Sequence, residues 1–280
     1  MVERLKEAIE KARRAREAQQ AETHAGPGAV RSPLLPTRTN VDAAWEALPV
    51  QTLDAEHLNR HRIVSAGKTD AAHMAFDLLR TRLAAACRSM GLRRIGITSP
   101  SKGCGKSLVS VNLAHSLGRN PGTRTVLIDL DLRAPTVGSL LGLETTMGVS
   151  NYLAGETPLQ AICHRIGPSL TVLLNTRRVR DSTELLLAPS SLAALQAIDE
   201  TLAPDFLLYD MPPLLGSDDV LAFLPNVDAI LMVAGGGETT AADLIECERL
   251  LEGGPRYLGV VLNRAENVDS ETYNTYYGEA

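Results

Sequence analysis

The sequence predicts an α/β protein, in which a mostly parallel central sheet carries helices on both faces to give three layers. Two observations lead to this fold class. Six apolar segments typical of buried strands occur between residues 94 and 263. Amphipathic, helix-forming stretches separate most of these segments, and strands that alternate with helices usually pair in parallel.

Turn and cap residues give approximate boundaries for these elements. A first helix is expected to begin at the N-cap residue Asp70 and to end at residue 90, before Gly91. The strands are expected at residues 94–98, 124–130, 170–174, 205–210, 229–234 and 257–263. Further helices are expected at residues 106–117, 137–143, 190–202 and 239–251.

Composition divides the chain into four parts. Residues 1–20 have the pattern of a highly charged helix that is solvated or docks on a partner. Residues 21–40 contain three prolines and two glycines, which predicts a flexible linker. The main domain is expected at 41–265, with 41–69 docking on it through Trp45, and an acidic tail follows at 266–280.

The bulk composition excludes several classes of function. A net charge of −5 gives no basic signature for nucleic acid, so no nucleic-acid partner is expected. No apolar run reaches the 18 or so residues of a membrane span, and the first 20 residues lack the apolar centre of a secretory signal. A cytoplasmic protein is therefore expected, in which the four cysteines, which have no paired metal-ligand spacing, are reduced thiols.

A glycine-rich loop between the strand at 94–98 and the helix at 106–117 predicts a phosphate site. Backbone amides of such a loop and of the helix N-terminus bind anions, a following lysine reaches the outer phosphates, and a hydroxyl binds Mg²⁺. The strict pattern has glycine where this chain has Pro100, so the loop is a variant form. The predicted contacts are Ser101, Lys102, Gly103, Cys104, Gly105, Lys106, Ser107 and Leu108.

Acidic side chains at the ends of two predicted strands indicate a metal site beside this loop. Asp129 and Asp131 end the apolar run VLIDLD, and Asp210 ends FLLYD. The carboxyl ends of parallel strands meet at one edge of a sheet, where ligands bind. Carboxylates there can hold Mg²⁺ or accept a proton. The sequence therefore predicts a nucleoside triphosphate with Mg²⁺, with Ser107, Asp129 and Asp210 as candidate metal ligands.

These motifs, in this order, resemble those of the bacterial tyrosine kinases of exopolysaccharide and capsule biosynthesis, in the MinD/ParA-like branch of P-loop proteins. The resemblance begins near residue 62 and rests on TSPSKGCGKSLVSVNLA, TVLIDLDLRAP and FLLYDMPP, with GVVLNR and the closing tyrosines in addition. It implies an ATP-dependent protein-tyrosine autokinase that controls polysaccharide polymerisation and export.

The resemblance also implies roles for individual residues. Lys106 and Asp129 would be catalytic, Asp131 and Asp210 would support them, and Arg133 would engage phosphate or a neighbouring subunit. Asn263, followed by Arg264, would bind adenine. Tyr273, Tyr276 and Tyr277 would be autophosphorylated in trans between subunits. A membrane polysaccharide co-polymerase would activate the chain and hold it at the inner face of the cell membrane.

Two positions depart from related patterns. Partition ATPases carry a signature lysine where this chain has Ser101, and its absence favours a kinase over them. Ring-forming kinases carry an E-x2-R-x2-R motif where this chain has Met74, Asp77 and Arg80. The alternatives to a kinase are a MinD/ParA-type ATPase switch and a scaffold that binds nucleotide without transferring phosphate.

Overall fold

A seven-stranded sheet forms the centre of the protein. The structure is a computed structural model and describes residues 38–67, 72–120, 122–175 and 177–265. The strands are β1 (Arg94–Thr98), β2 (Thr125–Asp129), β3 (Cys163–Ile166), β4 (Leu170–Leu173), β5 (Phe206–Asp210), β6 (Ala229–Gly235) and β7 (Arg256–Asn263). Their order across the sheet is β3-β4-β2-β5-β1-β6-β7, and every neighbouring pair except β3–β4 is parallel.

Helices cover both faces of this sheet. One face packs against α2 (Ala55–Arg60), α3 (Ala72–Met90), α4 (Lys106–Gly118) and α5 (Val137–Leu141). The opposite face packs against α1 (Arg38–Glu46), α6 (Val149–Leu153), α7 (Ser182–Leu187), α8 (Pro189–Leu202), α9 (Asp218–Phe223) and α10 (Ala241–Leu251). The three-layer α/β fold expected from the sequence is confirmed.

The central strands β1, β2, β5 and β6 are mainly apolar because both of their faces are covered. Alternate residues of a strand point to opposite faces of the sheet. In β2, Val126 and Ile128 pack in one core and Leu127 in the other, and all three are fully buried. Such strands show continuous apolar runs, which is why the sequence revealed them.

Among the described residues, the sequence missed one strand, the nine-residue helix α1 and four shorter helices. Strand β3 (CHRI) is polar at two of its four positions and pairs with β4 through a tight turn at Gly167, where φ is +65°. Helices α2, α6, α7 and α9 have five or six residues each, too few to show a helical period. The segment around Val50 bridges to Arg165 and so covers the exposed edge of β3.

Several expectations concern residues outside this description. The charged helix at 1–20, most of the linker at 21–40 and the acidic tail at 266–280 lie outside the described residues. The end of the linker is corrected, because α1 already begins at Arg38. Among the described residues, no helix is both long and apolar enough to cross a bilayer.

Trp45 attaches α1 to the main domain. Its side chain is 3% exposed, and its Nε1–H donates a hydrogen bond of 2.7 Å to the carbonyl of Leu202, at the C-terminus of α8. The guanidinium of Arg124 lies 5.9 Å from the centre of the indole ring. The indole therefore contributes apolar burial and also satisfies a helix-end carbonyl.

Replacing Trp45 with alanine should lower the free energy of unfolding by about 3–5 kcal/mol, because a large cavity forms and the Leu202 carbonyl loses its donor. Urea unfolding followed by circular dichroism measures this change. Val50→Ala is the matched control, because Val50 is 59% exposed, and its effect should stay within about 0.5 kcal/mol. Equal effects of the two substitutions would show that α1 does not stabilise the domain.

Candidate functional site

The phosphate loop connects β1 to α4 in a conformation that requires glycine. Gly105 has a φ of +85° and immediately precedes the helix, which begins at Lys106. A Cβ at Gly105 would lie 2.1 Å from Nδ2 of Asn263, so a side chain is excluded by space as well as by backbone angle. The loop and the first turn of α4 therefore have a conformation suited to an anion site, and anion binding there stays a prediction.

Lys106 forms an ion pair at this site. Its Nζ lies 2.7 Å from Oδ2 of Asp131, and both side chains are largely buried. Burial acts to lower the pKa of Lys106, but the charges of Asp210, Asp131 and Asp129 outweigh it and raise the pKa. Lys106 is therefore a buried, charged cation that can exchange its carboxylate partner for a phosphate oxygen.

Asp129 and Asp210 lie side by side at the carboxyl ends of β2 and β5, where they are directly paired in the sheet. Oδ2 of Asp129 accepts hydrogen bonds from the backbone N–H groups of Thr136 (3.2 Å) and Val137 (3.1 Å). Oδ1 of Asp210 accepts one from the hydroxyl of Ser110 (3.0 Å). The other oxygen of each carboxylate is buried and has no hydrogen-bond partner in the described part of the chain.

The proximity of these carboxylates perturbs their protonation. Burial, and then the charge of Asp210, raises the pKa of Asp129 well above its ordinary value of 3.8. Burial also raises the pKa of Asp210, although Lys106 and the hydroxyls of Ser107 and Ser110 act to lower it. Two adjacent carboxylates without enough donors are unstable when both are charged, so a cation between them would be favourable.

This donor set fits Mg²⁺. The unpaired oxygens of Asp129 and Asp210 and the nearby hydroxyl of Ser107 are hard oxygen ligands, which Mg²⁺ prefers. Mg²⁺ in nucleotide sites usually takes one or two carboxylates and completes its shell with phosphates and water. Accordingly, the residues that the structure describes contain no group of three or more His, Cys, Asp or Glu side chains able to hold a metal by themselves.

Arg133 lies in a polar cluster with residues at the start of two helices, α7 and α9. Its guanidinium donates to both carboxylate oxygens of Asp219 at 3.0 Å, and to Asp218, Ser182 and Thr183. Burial acts to raise the pKa of Asp219, but these donors hold the pKa below its ordinary value. Arg133 therefore connects the loop after β2 to α7 and α9, and its role toward phosphate stays a prediction.

Asn263 and Arg264 contact the phosphate loop and its surroundings from the end of β7. Nδ2 of Asn263 donates to the carbonyl of Cys104 at 2.9 Å, and Nη1 of Arg264 lies 3.2 Å from Oε1 of Glu238. Glu238 also approaches the loop, because a Cβ at Gly103 would lie 3.3 Å from its Oε2. Glu238 was not among the residues predicted for the site, although the three glycines before it, at a strand end, were an available signal. The role of Asn263 toward adenine stays a prediction.

Two of the three residues at the positions of the ring-forming E-x2-R-x2-R motif make contacts within this chain. Asp77 lies 3.1 Å from Nη1 of Arg80 on the same helix and accepts from Ser116 on α4 at 2.7 Å. Met74, at the first position of the motif, is 49% exposed. Asp77 therefore contributes to the packing of α3 against α4.

Comparison with known proteins agrees with this geometry. The ParA family model, described as an NUBPL iron-transfer P-loop NTPase, matches residues 92–272. The tyrosine-protein kinase CpsD of Streptococcus agalactiae is 30% identical over 190 residues, which cover 66% of this chain and 81% of CpsD. This chain belongs to the bacterial tyrosine-protein kinase family, within the ParA-like P-loop NTPases. The resemblance seen in the sequence motifs is thus confirmed.

Other members of this family differ in length. The tyrosine-protein kinase YwqD of Bacillus subtilis is 26% identical, and the match covers 72% of this chain and 85% of YwqD. The putative tyrosine-protein kinase EpsB of Ralstonia nicotianae is 29% identical over 71% of this chain, but the chain spans only 26% of the length of EpsB.

Solved structures show the same relationship. The kinase domain of the Escherichia coli tyrosine kinase ETK superposes with a TM-score of 0.64 at 27% identity, covering 71% of this chain and 80% of that domain. MinD of Pyrococcus horikoshii, complexed with Mg-ADP, has a TM-score of 0.52 at 20% identity over 65% of this chain and 76% of its own. The likeness to MinD shows a shared fold.

Replacing Asp129 with asparagine should raise the free energy of unfolding of the metal-free protein at pH 7, because a carboxylate with a strongly raised pKa is replaced by a neutral group. A raised folded-state pKa gives stability that is full below pH 3.8 and is lost as pH rises through the folded pKa. Urea unfolding in chelator from about pH 4 to 8 should therefore show a flatter pH dependence in Asp129→Asn.

The same substitution should abolish the stabilisation of the chain by ATP with Mg²⁺, measured as a shift in melting temperature. Asp205→Asn is a matched control, because Asp205 precedes β5 at the amino end of that strand, and this variant should keep the shift. A full Mg²⁺-dependent shift in Asp129→Asn would contradict the assignment of the metal site.

Replacing Arg133 with alanine should cost about 1–3 kcal/mol of stability, because the buried carboxylate of Asp219 loses its charged donor. The lowered pKa of Asp219 gives stability above pH 3.8 that is lost as pH falls through its folded pKa, so the difference from wild type should shrink in acid. Urea unfolding measures both effects. Arg88→Ala, at an exposed arginine, should change stability by less than about 0.5 kcal/mol.

Proposed function

We propose that the chain is an ATP- and Mg²⁺-dependent protein-tyrosine kinase that phosphorylates the tail of a second copy at Tyr273, Tyr276 and Tyr277. The observation that carries the proposal is the pair of unpaired carboxylate oxygens on Asp129 and Asp210, in a site that also contains Lys106. Membership in the bacterial tyrosine-protein kinases supports the choice of tyrosine as acceptor.

Each side chain of the site has a role in this proposal. Lys106 and the amides of the phosphate loop bind the outer phosphates, and Ser107, Asp129 and Asp210 hold the metal. When bound, Mg-ATP supplies the phosphoryl group and neutralises part of its charge. A tyrosine hydroxyl has a pKa near 10 and needs a proton acceptor at neutral pH. Asp129, supported by Asp131, accepts this proton.

The same proposal gives the chain a place in the cell. Its resemblance to the kinases of exopolysaccharide and capsule biosynthesis supports a role in regulating polysaccharide polymerisation and export. The proposed activator is a cytoplasmic segment of a membrane polysaccharide co-polymerase, which would hold this cytoplasmic kinase at the inner face of the membrane. Self-association would bring the tail of one copy to the site of another.

Labelled ATP separates the kinase from a MinD/ParA-type switch. The wild-type chain should incorporate label on tyrosine when Mg²⁺ is present, and Lys106→Met should reduce incorporation at least about a hundredfold, because charge stabilisation at the phosphates is lost. Arg256→Met, at the amino end of β7, is the control and should retain label. The assay is run with and without the activator segment.

Transfer in trans is tested with two complementary variants. The donor carries Tyr273→Phe, Tyr276→Phe and Tyr277→Phe, and the acceptor carries Lys106→Met with a size tag. Label on the tagged chain supports transfer between copies. Release of phosphate with both chains unlabelled would contradict the kinase proposal and favour the switch.

A further inference from the structure

Three arginines lie close together on the loop between β4 and α7. We call residues 177–181 (RRVRD) the arginine loop. Arg177, Arg178 and Arg180 are all exposed, and none has an ion-pair partner among residues that the structure describes. Exposed, unpaired guanidinium groups in a cluster form a surface that is ready to bind anions.

The arginine loop is attached to the strand end that carries the catalytic acids. The backbone N–H of Val179 donates to the carbonyl of Leu132 at 2.9 Å, and the Val179 side chain packs against the core. On the other side, Nδ2 of Asn175 donates to the carbonyl of Arg177 at 2.8 Å. Leu132 lies between Asp131 and Arg133, so these contacts hold the arginine loop beside the segment that follows β2 and carries Asp131.

The neighbouring charges leave the arginine loop positive. Arg133 is neutralised by Asp218 and Asp219, and Lys106 by Asp131. The acidic residues nearest in sequence are Asp181 and Glu184, which are exposed. Three arginines against two carboxylates leave the surface with a net positive charge.

We propose that the arginine loop docks the acidic segment 266–280 of a second copy and so positions its tyrosines for phosphorylation. This inference rests on the proposed function and adds to it the surface that selects the substrate. The segment carries Glu266, Asp269, Glu271 and Glu279 and has no lysine or arginine. Its charge is therefore complementary to that of the loop.

Spacing supports the pairing of particular residues. Arg178 and Arg180 flank the anchored Val179, and both point away from the core, as their exposure shows. Asp269 and Glu271 are also two residues apart, and in an extended peptide such residues share one side, roughly 6.6 Å apart. Pairing these two acids with the two arginines leaves Tyr273 two residues further along the peptide.

A peptide substrate is favoured over a nucleic acid or a lipid surface by where the arginines are. The arginines lie on one short loop that contacts the segment after β2, and they do not form a broad basic face. The whole chain has a net charge of −5, which is unfavourable for a general polyanion-binding surface. The matching acidic segment lies in the same chain and contains the proposed acceptor tyrosines. Binding to other polyanions is measured as a competing outcome.

Binding of a fluorescent peptide with the sequence of residues 266–280 tests the docking surface directly. Fluorescence anisotropy with the full-length chain gives its Kd. Arg178→Glu with Arg180→Glu should weaken binding about tenfold or more, and higher salt should weaken wild-type binding. Arg178→Gln with Arg180→Gln, which only removes charge, should give an intermediate loss.

Two controls separate a specific pairing from a general charge effect. Arg88→Glu with Arg256→Glu makes the same change in net charge at exposed sites away from the loop, and it should change the Kd less than about twofold. A peptide with Asp269→Arg and Glu271→Arg should bind the charge-reversed loop more tightly than it binds wild type. Equal peptide affinity in the loop and control variants would overturn the inference.

The kinase assay distinguishes failure of docking from failure of the proposed function. With a Lys106→Met chain as acceptor, loop reversal should raise the acceptor KM about tenfold and leave kcat and the KM for ATP unchanged. If peptide binding follows the expected pattern but no variant transfers phosphate, docking stands and the kinase function fails.

Two results would leave the kinase intact and remove the docking role. One is transfer to the acceptor with the same KM in the loop and control variants. The other is that Arg178→Glu with Arg180→Glu weakens binding only to phosphatidylserine vesicles or to a single-stranded oligonucleotide, while the affinity for the peptide is unchanged.

Discussion

The constraint on which the site depends is the placement of two buried carboxylates in adjacent register. Parallel pairing of β2 with β5 puts Asp129 opposite Asp210, and each keeps one oxygen without a donor among the described residues. Backbone N–H groups at the start of α5 and a hydroxyl from α4 satisfy only the other two oxygens. The sheet therefore crowds two acidic groups together at a place where a bound metal ion would be favourable, and Lys106 lies at the same edge.

The parts of the fold that the sequence revealed are those with a long or repeated signal. Buried strands such as β2 and β5 are apolar along their whole length, and helices of eleven or more residues show their period. Strand β3 and the short helices α2, α6, α7 and α9 give no such signal, and β3 depends on the turn at Gly167 and on the Val50 segment that covers its edge.

The candidate site was also predicted only in part from the sequence. Lys106 and the strand-end aspartates were predicted because loop chemistry and strand position are local in sequence. The partner of Arg133 was not, because Asp219 lies 86 residues away, and no spacing rule connects them. Ser110 was within reach of sequence reasoning, since it lies one helical turn after Lys106 and so faces the same side of α4. Glu238 can be assigned to the site only from the structure, where its side chain approaches Gly103 across the edge of the sheet.

The contact between Asn263 and Cys104 has a consequence for how relatives are recognised. This side chain supports the phosphate loop from 159 residues away, at the last position of the edge strand β7. A truncated homologue could retain the loop and both acidic motifs and yet lack that support. The motifs alone would identify such a fragment as able to bind nucleotide, although its phosphate loop would lack the Asn263 side chain that packs against Gly105.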